Sequence, residues 1–208
     1  MGNSAFVKPV GKNIAVYLHW NGGRDSVEAF LKYCELHDHR GFDDSYGFAR
    51  FCQVVGNFFG GTVSLGVETN IYMDARSADA TDNGIFEVKG WSIVGRCPQN
   101  AREQQNYDML EMLEEIDKAQ PVNEQLGADF FRSEVVETGE LKIGDQVFVH
   151  ELDGTYKKWA VIGFGTPGMV RNGHNVSGVP YVGKYDHDGD YTWNINNFLT
   201  GRKYRRIT

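Results

Sequence analysis

An apolar run rich in β-branched and aromatic residues, NIAVYLHW from Asn13 to Trp20, predicts a strand over about residues 14–19. It breaks at Asn21-Gly22-Gly23, which is turn chemistry. Val27, Phe30, Leu31 and Cys34 then recur at helical intervals, and Asp25 with Glu28 has capping-box spacing. A helix should therefore open at Asp25 or Ser26 and end in the polar, glycine-bearing stretch HDHRGFDD. A second helix is predicted in SYGFARFCQVVGNFFGG. Phe48, Cys52, Val55 and Phe59 form one stripe, with Phe51, Val54 and Phe58 beside it, so this helix is mostly buried. Gly60-Gly61 stops it.

TVSLGVETNIYM reads as a strand, ARSADATDNG as a polar loop, and IFEV with WSIVGR as a hairpin split at Lys89-Gly90. Pro98 suits a first helical turn, and NAREQQNYDMLEMLEEIDKA predicts the clearest helix of the chain. In it Met109, Leu113 and Ile116 face inward with Leu110 and Met112 flanking, while Glu103, Asp108, Glu111, Glu114 and Glu115 face water. Pro121 ends it.

VNEQLGADFFRSEVVETGE reads as a connector, and the texture then changes. Val147 and Val149 alternate with Gln146 and His150, Asp153-Gly154 supplies a hairpin turn, and Trp159, Val161 and Phe164 mark the returning strand. Short strands and glycines continue to the end with no helical period. The expected fold is α+β. Residues 1–137 form a domain with a small mixed or antiparallel sheet and three helices, and residues 138–208 form a small all-β domain resembling an SH3-like barrel.

The charge sharpens this division. Residues 1–137 carry 12 Lys and Arg against 21 Asp and Glu, whereas residues 138–208 carry 9 against 7. An acidic body repels nucleic-acid phosphates and suits a basic protein partner. No run approaches a membrane span, and the amino terminus has no secretory h-region, so a cytoplasmic location is expected. Cys34, Cys52 and Cys97 include no Cys-x-x-Cys pair. Cys34 and Cys52 sit in apolar runs, and Cys97 precedes the helix start expected at Pro98.

The best site candidate is the strand-turn-helix corner of His19, Trp20, Asn21, Gly22, Gly23 and Arg24. Free amides at the helix start, Arg24 and His19 would hold a small anion there, with Trp20 as a stacking wall. Asp25 and Glu28 count against this, because they already neutralise the helix start. GFGTPG, Gly163 to Gly168, matches Gly-x-Gly-x-x-Gly but contains Pro167 and is followed by MVRNGHNVSG, a segment unfit for a helix, so a loop is expected, with Arg171 and His174 its side chains of interest. YDHDGDYTW alternates Asp186, Asp188 and Asp190 like a calcium loop, yet has Tyr191 where Gly is needed and Asn197 where the closing acid belongs; a hairpin tip is expected there. His187 has no partner at ligand spacing. His37 and His39 in HDHR read as cations at a helix end. The basic tail, with Arg202, Lys203, Arg205 and Arg206, is the one nucleic-acid-like feature and otherwise reads as solvated. No nucleophile elbow, defensible Ser-His-Asp order, paired carboxylates or P-loop is present, and neither a metal nor a cofactor is expected.

In YLHWNGGRDSVEAFLKY, GFARFCQVVGNFFGG and WSIVGR the chain resembles an uncharacterised family of phages and mobile elements in gut Firmicutes, over roughly the first 120 residues. That resemblance brings no established activity. It implies an accessory protein that binds a host defence machine. The expected function is a non-enzymatic binding protein, an anti-CRISPR-like inhibitor of a defence nuclease. The alternative is an enzyme or small anionic-ligand binder sited at His19–Arg24.

Overall fold

A computed structural model describes residues 2–61, 64–98, 107–151, 155–171, 173–185, 191–192, 198–199 and 203–207. By its contacts the chain divides into two compact units, Met1–Gln125 and Leu126–Thr208.

The first unit is built on five strands: β1 (Ala5–Pro9), β2 (Ile14–Leu18), β3 (Leu65–Thr69), β4 (Ile85–Lys89) and β5 (Ser92–Cys97), in the order β3-β2-β1-β4-β5. Its central pair, β1 and β4, is parallel and the others are antiparallel, so the sheet is mixed. Register assigns the faces. Phe6, Tyr17 and Ile85 share one face, which is covered by Ile71, Met73 and Ala78 of the β3–β4 connection. That connection, expected as a plain loop, contains the short helix α3 (Ala75–Ala78), capped by Asp74.

Val7, Val16, Leu18 and Phe86 point to the opposite face and are buried. Leu65, paired with Leu18, lies beside Gly56 of α2 (Ser45–Phe58), which places the helical layer on this side. α1 (Arg24–Leu36) and α4 (Met109–Lys118) complete it, contributing Val27, Phe30, Leu31, Leu113 and Ile116 to the core. Tyr107 N donates to Asp25 Oδ2 at 2.8 Å, and Tyr33 Oη donates to Asp117 Oδ1 at 2.7 Å. Two ties of nearly equal sequence offset mean that α1 and α4 run parallel, with their amino ends together. Gln120 joins α2 to the end of α4 through Val54 O, Ile116 O and Asn57 Nδ2.

Two helix starts differ from expectation. α1 starts at Arg24 with Gly23 as its N-cap and no side-chain cap, because Glu28 pairs with Arg24 instead of closing a capping box. α4 starts at Met109, because Asp108 accepts from the amides of Leu110 and Glu111 and caps the helix there. The late start leaves Met109 and Leu110 exposed rather than core-facing. Cys97 closes strand β5, and residues 99–106, where a helix start is expected, lie outside the described residues.

The second unit contains α5 (Ala128–Arg132), β6 (Glu134–Glu137), β7 (Gln146–His150), β8 (Tyr156–Phe164), β9 (Val170–Arg171), β10 (His174–Asn175), β11 (Pro180–Tyr185), β12 (Tyr191–Thr192) and β13 (Lys203–Ile207). Residues 126–137, read from sequence as a connector in the first domain, belong here by their contacts: β6 pairs with β13, and α5 lies against it. The sheet runs β12-β11-β8-β7-β13-β6, with β9 and β10 as a separate hairpin. That order has two free ends, so the described residues form an antiparallel sheet and no closed barrel. One face carries Val136, Val147, Val161 and Val182, joined by Leu141 and Leu199. Phe148 lies in the opposite phase, where Phe130 of α5 meets it with ring centroids 5.0 Å apart. Among the described residues no helix is long and apolar enough to cross a membrane.

Candidate functional site

The corner expected between the first strand and the first helix is present. β2 delivers His19 and Trp20 to its end, and both are exposed; Trp20 retains 48% of its surface. Tyr17 Oη lies 3.2 Å from His19 Nδ1, and the His19 ring stands edge-on to Trp20 with centroids 4.7 Å apart. The chain turns at Asn21, whose φ of 54° is tolerated by few side chains. Gly22 then runs against β1: its amide donates to Asn3 O at 2.7 Å, and an added Cβ would meet the backbone of Ser4 and Ala5. Only glycine allows that approach.

Beyond it, Gly23 O accepts from Val27 N and α1 begins. Arg24 Nε pairs with Glu28 Oε1 at 2.8 Å. Asp25 Oδ1 accepts from Ser26 N at 2.7 Å, while Oδ2 accepts from Tyr107 N. A carboxylate thus occupies the start of α1 and a second one neutralises Arg24. The six corner residues are brought together, with an aromatic pair at the end of β2 and the carboxylates of Asp25 and Glu28 beside Arg24. Tyr107, Met109 and Leu110 add exposed apolar area at this end of the α1–α4 pair, beside Asp108 and Glu111. Sequence periodicity missed these three because it carried the α4 helix through them.

The basic tail is a structural strand. β13 lies between β6 and β7. Lys203 pairs with Glu137 at 3.3 Å, and Arg206 pairs with Glu134 at 2.7 Å and Asp145 at 3.5 Å. The hydrogen bond to Glu134 raises the pKa of Arg206. Arg205 is half-buried over the Phe130 ring, and burial lowers its pKa. Arg202 lies outside the described residues.

The glycine loop after β8 leads into the β9–β10 hairpin and opens no helix, which removes the dinucleotide reading. His174 is exposed and lines a cleft of about 530 Å³ with Thr138, Asn175 and Ser177. Tyr185 pairs with Tyr191; Asp186, His187, Asp188 and Asp190, where a hairpin tip is expected, lie outside the described residues, as does Asn197. His37 and His39 stack with centroids 5.2 Å apart. Burial first, and then Arg50, lower the pKa of His39, which disfavours the charged form expected at this helix end. Among the described residues no group of three or more His, Cys, Asp or Glu could hold a metal.

No family model matches the chain, and no curated protein or solved structure matches it.

Proposed function

We propose that this is a non-enzymatic binding protein whose first unit docks, through the amino-terminal edge of α1 and α4, onto a basic protein partner. Exposed Trp20, stacked edge-on with His19 at the corner before α1, and exposed Tyr107, Met109 and Leu110 at the start of α4, tied to α1 through Asp25, carry the reading. Exposed Trp and Tyr side chains are the types that most often anchor an interface. The electrostatics agree: Met1–Gln125 holds 11 Lys and Arg against 18 Asp and Glu, whereas Leu126–Thr208 holds ten of each. In the finer form of this proposal the protein belongs to phages or mobile elements and the partner is a defence nuclease, whose basic nucleic-acid channel supplies the complementary charge.

Parallel affinity captures from the native host test it, using wild type, Trp20→Ala and the charge reversal Glu111→Lys. A specific partner should be retained by wild type, lost by both variants, and released as salt rises. Identical captures by all three proteins, each with an unchanged circular dichroism spectrum, would rule the edge out.

A further inference from the structure

The outer face of the second unit's sheet carries a cleft that this edge does not involve. It has a volume of about 280 Å³, and Phe148, His150, Tyr156, Lys203 and Arg205 line it. β7, β8 and β13 bring these side chains to one face: Arg205 stands opposite Phe148, and His150 opposite Tyr156.

Arg205 differs from the other tail cations described. Its Nη1 donates to Phe130 O at 3.2 Å and Ser133 Oγ at 3.3 Å, and its guanidinium lies 4.6 Å from the centroid of the Phe130 ring. Both bonds use one nitrogen. Among the described residues the Nε and Nη2 donors have no acceptor, and no carboxylate pairs with this guanidinium. A half-buried guanidinium anchored through Nη1, with its Nε–Nη2 edge uncommitted among the described residues, can meet a phosphate or carboxylate in bidentate fashion. Lys203, two residues earlier on the same face of β13, adds a second cation; its pair with Glu137 is solvent-exposed and therefore weak.

Apart from Val135, the rest of the wall is aromatic. His150 and Tyr156 lie with ring centroids 4.8 Å apart beside Phe148. Cations next to π-faces are what a nucleotide requires, one part holding phosphate and the other stacking the base. The volume is below the roughly 300–1,000 Å³ of ordinary ligand pockets, so one nucleotide unit fits better than a dinucleotide. We propose that this cleft binds a single phosphorylated nucleoside unit, with the phosphate on Arg205 and Lys203 and the base against His150 and Tyr156. The unit is either a free mononucleotide or the phosphorylated end of a single strand.

Calorimetric titration of the full chain tests this with the four ribonucleoside 5′-monophosphates, inorganic phosphate and a short 5′-phosphorylated oligothymidylate. At least one nucleotide should bind saturably with a Kd at or below about 1 mM, and at least about fivefold more tightly than inorganic phosphate, because the base adds stacking. Arg205→Lys should weaken binding by about tenfold through loss of the fork, and Lys203→Glu by about threefold. His150→Ala should weaken nucleotide binding while leaving phosphate binding unchanged. Lys203 and His150 are exposed, so their variants keep the test valid if Arg205→Lys fails to fold. Tighter binding of the oligonucleotide assigns a strand end, and equal or weaker binding assigns the free nucleotide. Absence of saturable binding to every nucleotide and to the oligonucleotide overturns the proposal. So does phosphate binding as tightly as nucleotide, or unchanged affinity in both Lys203→Glu and His150→Ala.

Discussion

Gly22→Ala probes the corner most directly. A Cβ at Gly22 would stand 2.6 Å from Ala5 N and Ser4 C and 2.7 Å from Asn3 O. All three are backbone atoms, so no flexible side chain can swing away. Relief requires β1 and the start of α1 to separate by most of an ångström, which also stretches the 2.7 Å bond from Gly22 N to Asn3 O. Overpacking costs about 1–3 kcal/mol and a weakened hydrogen bond about 1 kcal/mol. Loss of glycine's freedom in the unfolded chain returns about 0.4–1 kcal/mol. The net expectation is a loss of about 1–3.5 kcal/mol, centred on about 2 kcal/mol.

Gly66→Ala is the matched control. There the new methyl would meet Tyr17 Cβ at 3.5 Å, an ordinary contact within β3, and the effect should be between zero and about 1 kcal/mol of stabilisation. Urea unfolding followed by circular dichroism, with the slope held common, gives both values. A Gly22→Ala loss below about 1 kcal/mol, or a Gly66→Ala loss of similar size to it, would refute the reasoning that backbone proximity at the corner demands glycine.

Tyr33→Phe removes the buried donor to Asp117 that links α1 to α4 and should cost about 2 kcal/mol in the same assay; a change under about 0.5 kcal/mol would mean the link is redundant. Asp82 accepts from Ser4 Oγ at 2.6 Å and Ser4 N at 2.9 Å, and these bonds hold its carboxyl below the usual carboxylate range. Its contribution is therefore present above the unfolded value near ~4 and is lost as pH falls through the folded value, so the stability gap between wild type and Asp82→Asn should narrow on acidification. A gap that does not vary with pH would show that the carboxylate charge is not involved. Burial pushes the Cys52 thiol up to about 11 and the Cys34 thiol higher still. In native protein at pH 8 neither should react with iodoacetamide at the rate seen in denaturant; mass spectrometry after brief exposure settles it, and native-state labelling of Cys34 would contradict its burial.

Local chemistry in the sequence determined the corner, the helical stripes and the central hairpins. Asn21-Gly22-Gly23 can do little but turn, and Phe51, Val54 and Val55 recur at a spacing that only a helix puts on one buried face. Helix ends were less legible. Asp25 and Glu28 have capping-box spacing, but Glu28 took Arg24 as its partner and Asp25 took the amide of Tyr107, 82 residues away.

The tertiary structure alone decided the role of the basic tail, because strand pairing is non-local. Nothing near Lys203 in the chain says that it will pair with Glu137, or that β13 will lie between β6 and β7. Phe148 gave a partial sign, being apolar in the strand phase of Gln146 and His150; it requires a cover on that face, but not that Phe130 provides it or that Arg205 lies over the same ring. Local rules act over a few residues and survive in the sequence. Charge neutralisation, face burial and the cleft beside β13 depend on which distant segments meet, and that is settled only when the whole chain folds.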